Sequence, residues 1–332
     1  MKTTLAELCP DIWQQIFEYF DPIELFYSLV HVAIAADEVL FAKAHHLRLQ
    51  RLVIDPYVKI LPKELPLDRI VSLELRQDFY LDITEECLNV RSLKLRGQPT
   101  WVVSMLRKVS STSIKLDELV LIVPGIRYLY VLLECATSLL SLHRLSIHAN
   151  EWEEKILKRS LSARPSKIEY FRLDTCSPMT WVELSCMLSI LFNVRSLDIT
   201  LLGDSKDSYF CFTFPKLCYI CLRLIEISFE TVIQIVKATP SLTKLKLNGF
   251  VQTDGFVINH NWLKLFEYCF SLNTIIVNLS LEKGTDYFCI HTSQTSLREI
   301  NLRLTCIEDD YDYYSDGRNQ QRWWALSGII NK

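Results

Sequence analysis

From residue 49 onward one spacing recurs along the chain: apolar-x-x-apolar-x-apolar. It runs through Leu49-Leu52-Ile54, Ile70-Leu73-Leu75, Val90-Leu93-Leu95, Leu116-Leu119-Leu121, Leu142-Leu145-Ile147 and Ile168-Phe171-Leu173. It continues through Val194-Leu197-Ile199, Leu217-Ile220-Leu222, Leu242-Leu245-Leu247, Leu272-Ile275-Val277 and Leu297-Ile300-Leu302. The eleven copies start 21, 20, 26, 26, 26, 26, 23, 25, 30 and 25 residues apart. Four successive intervals of 26 each need three apolar matches in register, which chance seldom supplies. The last two apolar residues of a copy flank one other residue, the period of a half-buried strand. Helical spacing fills the gaps: Tyr128, Leu132, Cys135 and Leu139; Trp181, Leu184, Leu188 and Leu191; Val232, Ile233, Ile235 and Val236. Thr180 and Ser228 stand where helix N-caps belong. Each copy therefore predicts strand, loop, helix, loop, a mixed α/β pattern. One short strand cannot bury its apolar side alone, but a stack of like units buries a continuous core. Each buried Leu or Ile contributes about 1.5–3 kcal/mol, so three per copy dominate the stability.

Residues 5–45 follow a different rule. Cys9-Pro10 precedes a helical pattern in which Ile12, Ile16, Phe17 and Phe20 fall on one face. Asp21 then interrupts, and Asp21-Pro22-x-Glu24 reads as the N-cap, N1 and N3 of a second helix carrying Ile23, Leu25, Phe26, Leu29 and Val30. A third segment, 37–47, carries Val39, Leu40 and Phe41. A unit of about 40 residues is at the size where a core alone is marginal, so it must lean on the repeats or on a partner. The expected division is a helical domain over 1–48, repeats over 49–304 and an acidic, aromatic tail over 305–332.

The repeated spacing resembles leucine-rich repeats, whose pattern is L-x-x-L-x-L-x-x-N/C. Asn150 and Cys176 hold the N/C position in two copies, while Asp78, Gln98, Leu202, Phe250 and Ser280 hold it elsewhere. The resemblance covers about 255 residues. It implies an irregular solenoid with parallel strands on a concave side and helices on a convex one. The opening residues, Leu8-x-Pro10-Asp11-Ile12, Ile16-Phe17-x-Tyr19-Phe20-Asp21-Pro22, Leu25 and Leu29-Val30, resemble an F-box. Cys9 stands between the usual adjacent Leu-Pro, and His31–Ala36 replaces the family's basic, Trp-bearing segment. The resemblance implies a Skp-family adaptor, and through it a cullin, as partner of Leu8, Pro10, Ile12, Ile16, Phe20 and Leu25. The repeats would then choose a substrate protein for ubiquitin transfer. Two other readings stay open: that 5–45 only caps the first repeat, and that the repeats form an interaction scaffold with no ubiquitin role.

The residues between apolar strand positions should point away from the core. They include Glu74, Arg76, Arg91, Lys94 and Arg96, then His143, Arg144, His148, Tyr170, Arg172, Asp174, Arg195 and Asp198, then Tyr219, Arg223, Lys244, Lys246, Asn248, Arg298 and Arg303. Arg96, Arg144, Tyr170, Arg172, Arg195, Tyr219, Lys244 and Lys246 are the candidate substrate face, suited to a protein segment of acidic character.

Charge and chemistry add mainly exclusions. The formal net charge is −3, which gives no global field for nucleic acid. No run of about 18 apolar residues predicts a membrane span, and the N-terminus lacks a secretory pattern. Eleven scattered cysteines then read as reduced thiols of the cytoplasm or nucleus. Cys218-x-x-Cys221 sits in a strand pattern, where residues three apart face opposite sides, and the adjacent His45-His46 diverge on a helix, so neither predicts a metal site. Eight glycines and no phosphate-loop, nucleophile-elbow or zinc-protease motif leave no cofactor and no enzyme expected. In the tail, Glu308–Gly317 is acidic and tyrosine-rich, and Trp323-Trp324 suit a cap over the last repeat. A docking or phosphorylatable segment is the other reading.

Overall fold

The computed structural model describes residues 7–41, 48–54, 61–77, 87–151, 166–203, 213–251, 255–281, 297–308 and 322–332. His45-His46 and the acidic residues 309–317 lie outside the described residues. The chain forms two compact units, Met1–Ile156 and Leu157–Lys332, each of mixed α/β structure.

The first unit opens with helices α1 (Pro10–Phe17), α2 (Pro22–Ser28) and α3 (Ile34–Phe41). Pro10 starts α1 at a position whose missing N–H has no partner to lose. Asp21 caps α2, its carboxylate accepting from the Ile23 N–H at 2.8 Å. The buried face of α1 is Trp13 and Phe17, with ring centroids 5.5 Å apart, rather than the Ile12–Ile16–Phe20 side. Leu25, Phe26, Ala36, Val39 and Leu40 complete this small core. It leans on the repeats through Arg69, whose guanidinium donates to the carbonyls of Leu40 at 2.7 Å and Phe41 at 2.9 Å. A cation there satisfies two carbonyls that the end of α3 leaves without helical partners.

The unit's strands are β1 (Leu52–Ile54), β2 (Ser72–Arg76), β3 (Ser92–Arg96), β4 (Glu118–Val123) and β5 (Arg144–Ala149), with α4 (Pro99–Ser110) and α5 (Leu129–Thr137) between β3 and β5. They pair in parallel and in chain order. The register aligns the repeated apolar positions: Leu52, Leu73, Leu93, Leu119 and Leu145 form one row, and Ile54, Leu75, Leu95, Leu121 and Ile147 the next. All ten are buried.

The second unit repeats the scheme with β6 (Tyr170–Thr175), α6 (Trp181–Leu188), β7 (Ser196–Leu202), β8 (Tyr219–Ile227), α7 (Phe229–Lys237), β9 (Lys244–Val251), α8 (Asn259–Tyr268) and β10 (Thr274–Leu281). Thr180 and Glu183 form a reciprocal capping box on α6, and Ser228 caps α7. Phe171, Leu197, Ile220, Leu245 and Ile275 form one buried row. Gly249, at φ +110°, passes so close to the Leu224 carbonyl that a Cβ would collide with it.

The parallel series ends differently from the expectation. The eleventh copy does not place its first two residues in a strand: Leu297 lies in a short helical turn and Ile300 in a turn, and β11 runs Leu302–Glu308. The residues expected as a tail supply a further strand, β12 (Arg322–Asn331). It inserts between β10 and β11 and is antiparallel to both, giving the order β10-β12-β11. Ile330 stands across from Ile275 and Leu326 from Leu279, so β12 fills the core positions that an eleventh parallel strand would have filled. Gly328 faces the Asn301 carbonyl at a separation that leaves no room for a Cβ.

Adjacent copies are joined by a repeated backbone contact. The Arg91 carbonyl accepts from the N–H groups of both Asp117 and Glu118; Asp117 accepts from His143 and Arg144; and Glu169, Arg195, Cys218 and Thr243 act likewise on the copy after each. Side chains one residue before the first apolar position add a second ladder, with Asn89, Ser141 and Asn193 donating to carbonyls of the preceding copy.

Replacing Arg69 with Ala should cost about 1–2 kcal/mol, the range for hydrogen bonds from a charged donor discounted for partial exposure. The loss should localise to the helices. Limited proteolysis should then cut within residues 1–48 faster than in wild type, with cleavage of the repeats unchanged.

Candidate functional site

The six residues expected to meet an adaptor do not share one environment. Ile12 and Phe20 are exposed at 40% and 37%, and Leu8, Pro10 and Ile16 are half-buried. Leu25 is fully buried and belongs to the small core, so it can support this surface but cannot contact a partner. Other residues join the exposed set: Tyr19 at 90%, Tyr27, Val32, Ile34 at 82% and Phe41. Seven of the seventeen exposed large apolar side chains among the described residues thus lie between positions 12 and 41. Asp37 fixes the turn before α3, accepting from the His31 N–H at 2.8 Å while His31 takes a φ of +65°. A groove of about 700 Å³ runs beside α1, lined by Gln14, Phe17, Phe20, Arg48, Gln50 and Arg51.

The accessible strand residues do face away from the buried rows, but many of their charges are already matched. In the first unit Glu74 accepts from Lys94 at 2.9 Å and Arg76 at 3.1 Å. Burial pushes its carboxyl pKa up, but the two cations outweigh that and leave it below the ordinary value. Arg96 stands across from Arg76, exposed. Arg144 stands across from Glu118, which accepts from Ser92 Oγ at 3.1 Å.

In the second unit Arg172 lies 3.6 Å from carboxylates of both Asp174 and Asp198, Arg223 donates to Asp174 at 2.9 Å, and Arg195 is 4.0 Å from Glu169. Arg172 and Arg195 were expected to face a protein segment of acidic character; each also meets a carboxylate at the same position one copy away. That signal is in the sequence: Glu74 and Lys94, and Arg172 and Asp198, are the fifth residues of successive copies. Reversing Arg172 and Arg195 would therefore break internal pairs as well as alter a surface.

Tyr170 is exposed at 49%. Lys244 Nζ lies 5.7 Å from the centre of the Tyr219 ring. Burial raises the Tyr219 hydroxyl pKa, with Cys221 and Asp198 adding to the shift. The Cys221 thiol is buried on this face and also raised, first by burial and then by Asp198, so it is a poor nucleophile. The Cys218 thiol turns to the Lys216 carbonyl at 3.3 Å. Among the described residues no three His, Cys, Asp or Glu side chains gather as metal ligands, and no helix is long and apolar enough to cross a membrane.

No protein-family model matches the chain, and a search of curated proteins finds no match.

Two outcomes test these environments. A lowered folded-state pKa at Glu74 means that its contribution is present above about pH 4.5 and is lost as pH falls through the lowered value. Glu74→Gln should therefore melt below wild type at pH 7, and the gap should close on acidification below pH 4. Iodoacetamide at pH 8, followed by peptide mass spectrometry, should label the exposed Cys176 and Cys186 well before Cys221.

Proposed function

We propose that this chain is the substrate-recognition subunit of a Skp–cullin–F-box type ubiquitin ligase. In this reading α1–α3 are an F-box, the strand–helix copies are an irregular leucine-rich-repeat solenoid, and the accessible strand face takes the substrate protein. The chain supplies proximity rather than chemistry, holding a substrate beside a transfer reaction carried out elsewhere in the ligase.

The observation that carries the reading is the contrast within residues 10–41. A small core of Trp13, Phe17, Leu25, Phe26, Val39 and Leu40 is complete, yet Ile12, Tyr19, Phe20, Tyr27, Val32 and Ile34 remain exposed around it. A unit that served only to cap the repeats would turn its apolar surface toward them. Exposed apolar groups in this density suit a protein partner. The register of ten apolar copies supports the solenoid part of the reading.

Recombinant Skp-family adaptor should be captured by the full chain. Ile12→Asp with Phe20→Asp should weaken capture at least about tenfold, as removal of anchors from an apolar interface does, without lowering the melting temperature. Failure of the wild-type chain to capture adaptor overturns the ligase reading and leaves the interaction-scaffold one.

A further inference from the structure

We propose that the accessible face of β9, β10, β12 and β11 docks an extended acidic segment of a partner protein, with an aliphatic side chain of that segment seated between two cationic flanks. This rests on the reading of the accessible strand face as the substrate surface and names the chemistry it selects.

The strand register places the residues. Lys246 on β9 stands across from Ile276 on β10, which stands across from Ile329 on β12. One step along, Asn248 faces Asn278, Asn278 faces Ser327, and Ser327 faces Arg303 on β11. One step the other way, Lys244 faces Thr274, which faces Asn331. Adjacent strands lie about 4.8 Å apart, so Ile276 and Ile329 form an apolar centre with lysines on one side and Arg303 on the other. Ile329 is 50% exposed, Lys244 and Arg303 are exposed, and Ile276 and Lys246 are half-buried. Arg303 and Thr305 also line a groove of about 570 Å³ along β11.

Among the described residues, the charge on this part of the sheet is unmatched. On β6–β8 the accessible arginines meet Asp174 and Asp198. From β9 onward, the described side chains sharing this face include Lys244, Lys246 and Arg303 around Ile276 and Ile329, and no carboxylate. Among the described residues neither lysine has an ion pair, and Lys244 lies near the Tyr219 ring. Three cations around two aliphatic side chains complement an acidic segment carrying one apolar anchor. On an extended segment, same-face residues recur about every 6.8 Å, which lets a carboxylate meet Lys246 while an aliphatic neighbour reaches Ile276 or Ile329. The asparagines and serine on the adjacent rung offer hydrogen bonds to its backbone.

The test uses the full chain and two fluorescein-labelled twelve-residue peptides, one of repeating Ser-Glu-Ser-Leu, which puts Glu and Leu on one face of an extended segment, and one with Lys in place of Glu. Anisotropy should show binding of the acidic peptide that weakens between 50 and 200 mM salt, and no binding of the basic one. Lys244→Glu with Lys246→Glu should weaken binding by about tenfold or more, since two exposed attractions become repulsions. Ile329→Asn should weaken it at low and high salt alike, and Lys108→Glu, at an exposed position on α4, should leave it unchanged. Thermal melts check that each variant remains folded.

Equal binding of both peptides, or acidic-peptide binding indifferent to Lys244, Lys246 and Ile329, overturns the proposal. So does a concentration-dependent dimer that Ile329→Asn dissolves, which would make a second copy the occupant, or tighter binding of a single-stranded oligonucleotide than of the acidic peptide. Adaptor capture is read separately: capture without peptide binding overturns this proposal alone, and peptide binding without capture overturns the ligase reading alone.

Discussion

A carbonyl that accepts from two successive N–H groups of the next copy holds each unit of this protein together. Arg91, Asp117, Glu169, Arg195, Cys218 and Thr243 all do so, at the same place in the copy, just before the strand begins. Backbone groups cannot be left unpaired in a packed interior without cost, so this contact fixes where each new strand starts relative to the last. Once the start is fixed, the alternation of strand side chains decides the rest. A slip of one residue would send Leu93, Leu119 and Leu145 to the accessible side and bring Lys94, Val120 and Ser146 into the core. The buried rows therefore follow from the ladder as much as from the apolar pattern, and so does the juxtaposition of Arg172 with Asp198.

The strand series was legible because its signal is redundant. Any one copy of apolar-x-x-apolar-x-apolar is a weak pattern, but ten copies place their strand residues in rows that the register aligns. The caps at Asp21, Thr180 and Ser228 were legible for a different reason, since each is a local contact between residues two or three apart. The buried side of α1 was harder to read. Ile12, Ile16, Phe17 and Phe20 share helical spacing, but so do Trp13 and Phe17, and an apolar stripe wide enough for both leaves the choice to tertiary packing.

Two parts could not be read from repetition. Strand β12 lies antiparallel and carries Trp324, Leu326, Gly328 and Ile330 in simple alternation, a pattern unlike the copies before it. Its place between β10 and β11 depends on Gly328 passing the Asn301 carbonyl, a contact across the sheet that leaves no spacing to search for. The charges of the accessible face were visible as residues but not as pairs. Several partners, such as Glu74 for Lys94 and Asp198 for Arg172, lie a whole copy away, so a charge that looks free along the chain is matched once strands stand side by side. Among the described residues from β9 onward, the same comparison leaves Lys244, Lys246 and Arg303 without a carboxylate beside them.

The insertion of β12 also sets an order of events. Strands β1 to β10 follow the chain, so in each unit a newly made strand meets an edge that is already waiting. β11 is synthesised before β12, yet β12 is its strand partner among the described residues and must slide in between it and β10. Until then β10 and β11 both lack this partner, at the stage when exposed strands are most prone to pair wrongly. A nascent chain arrested between the two strands would therefore present its stickiest surface, and would be a natural client for a chaperone that shields unpaired strands.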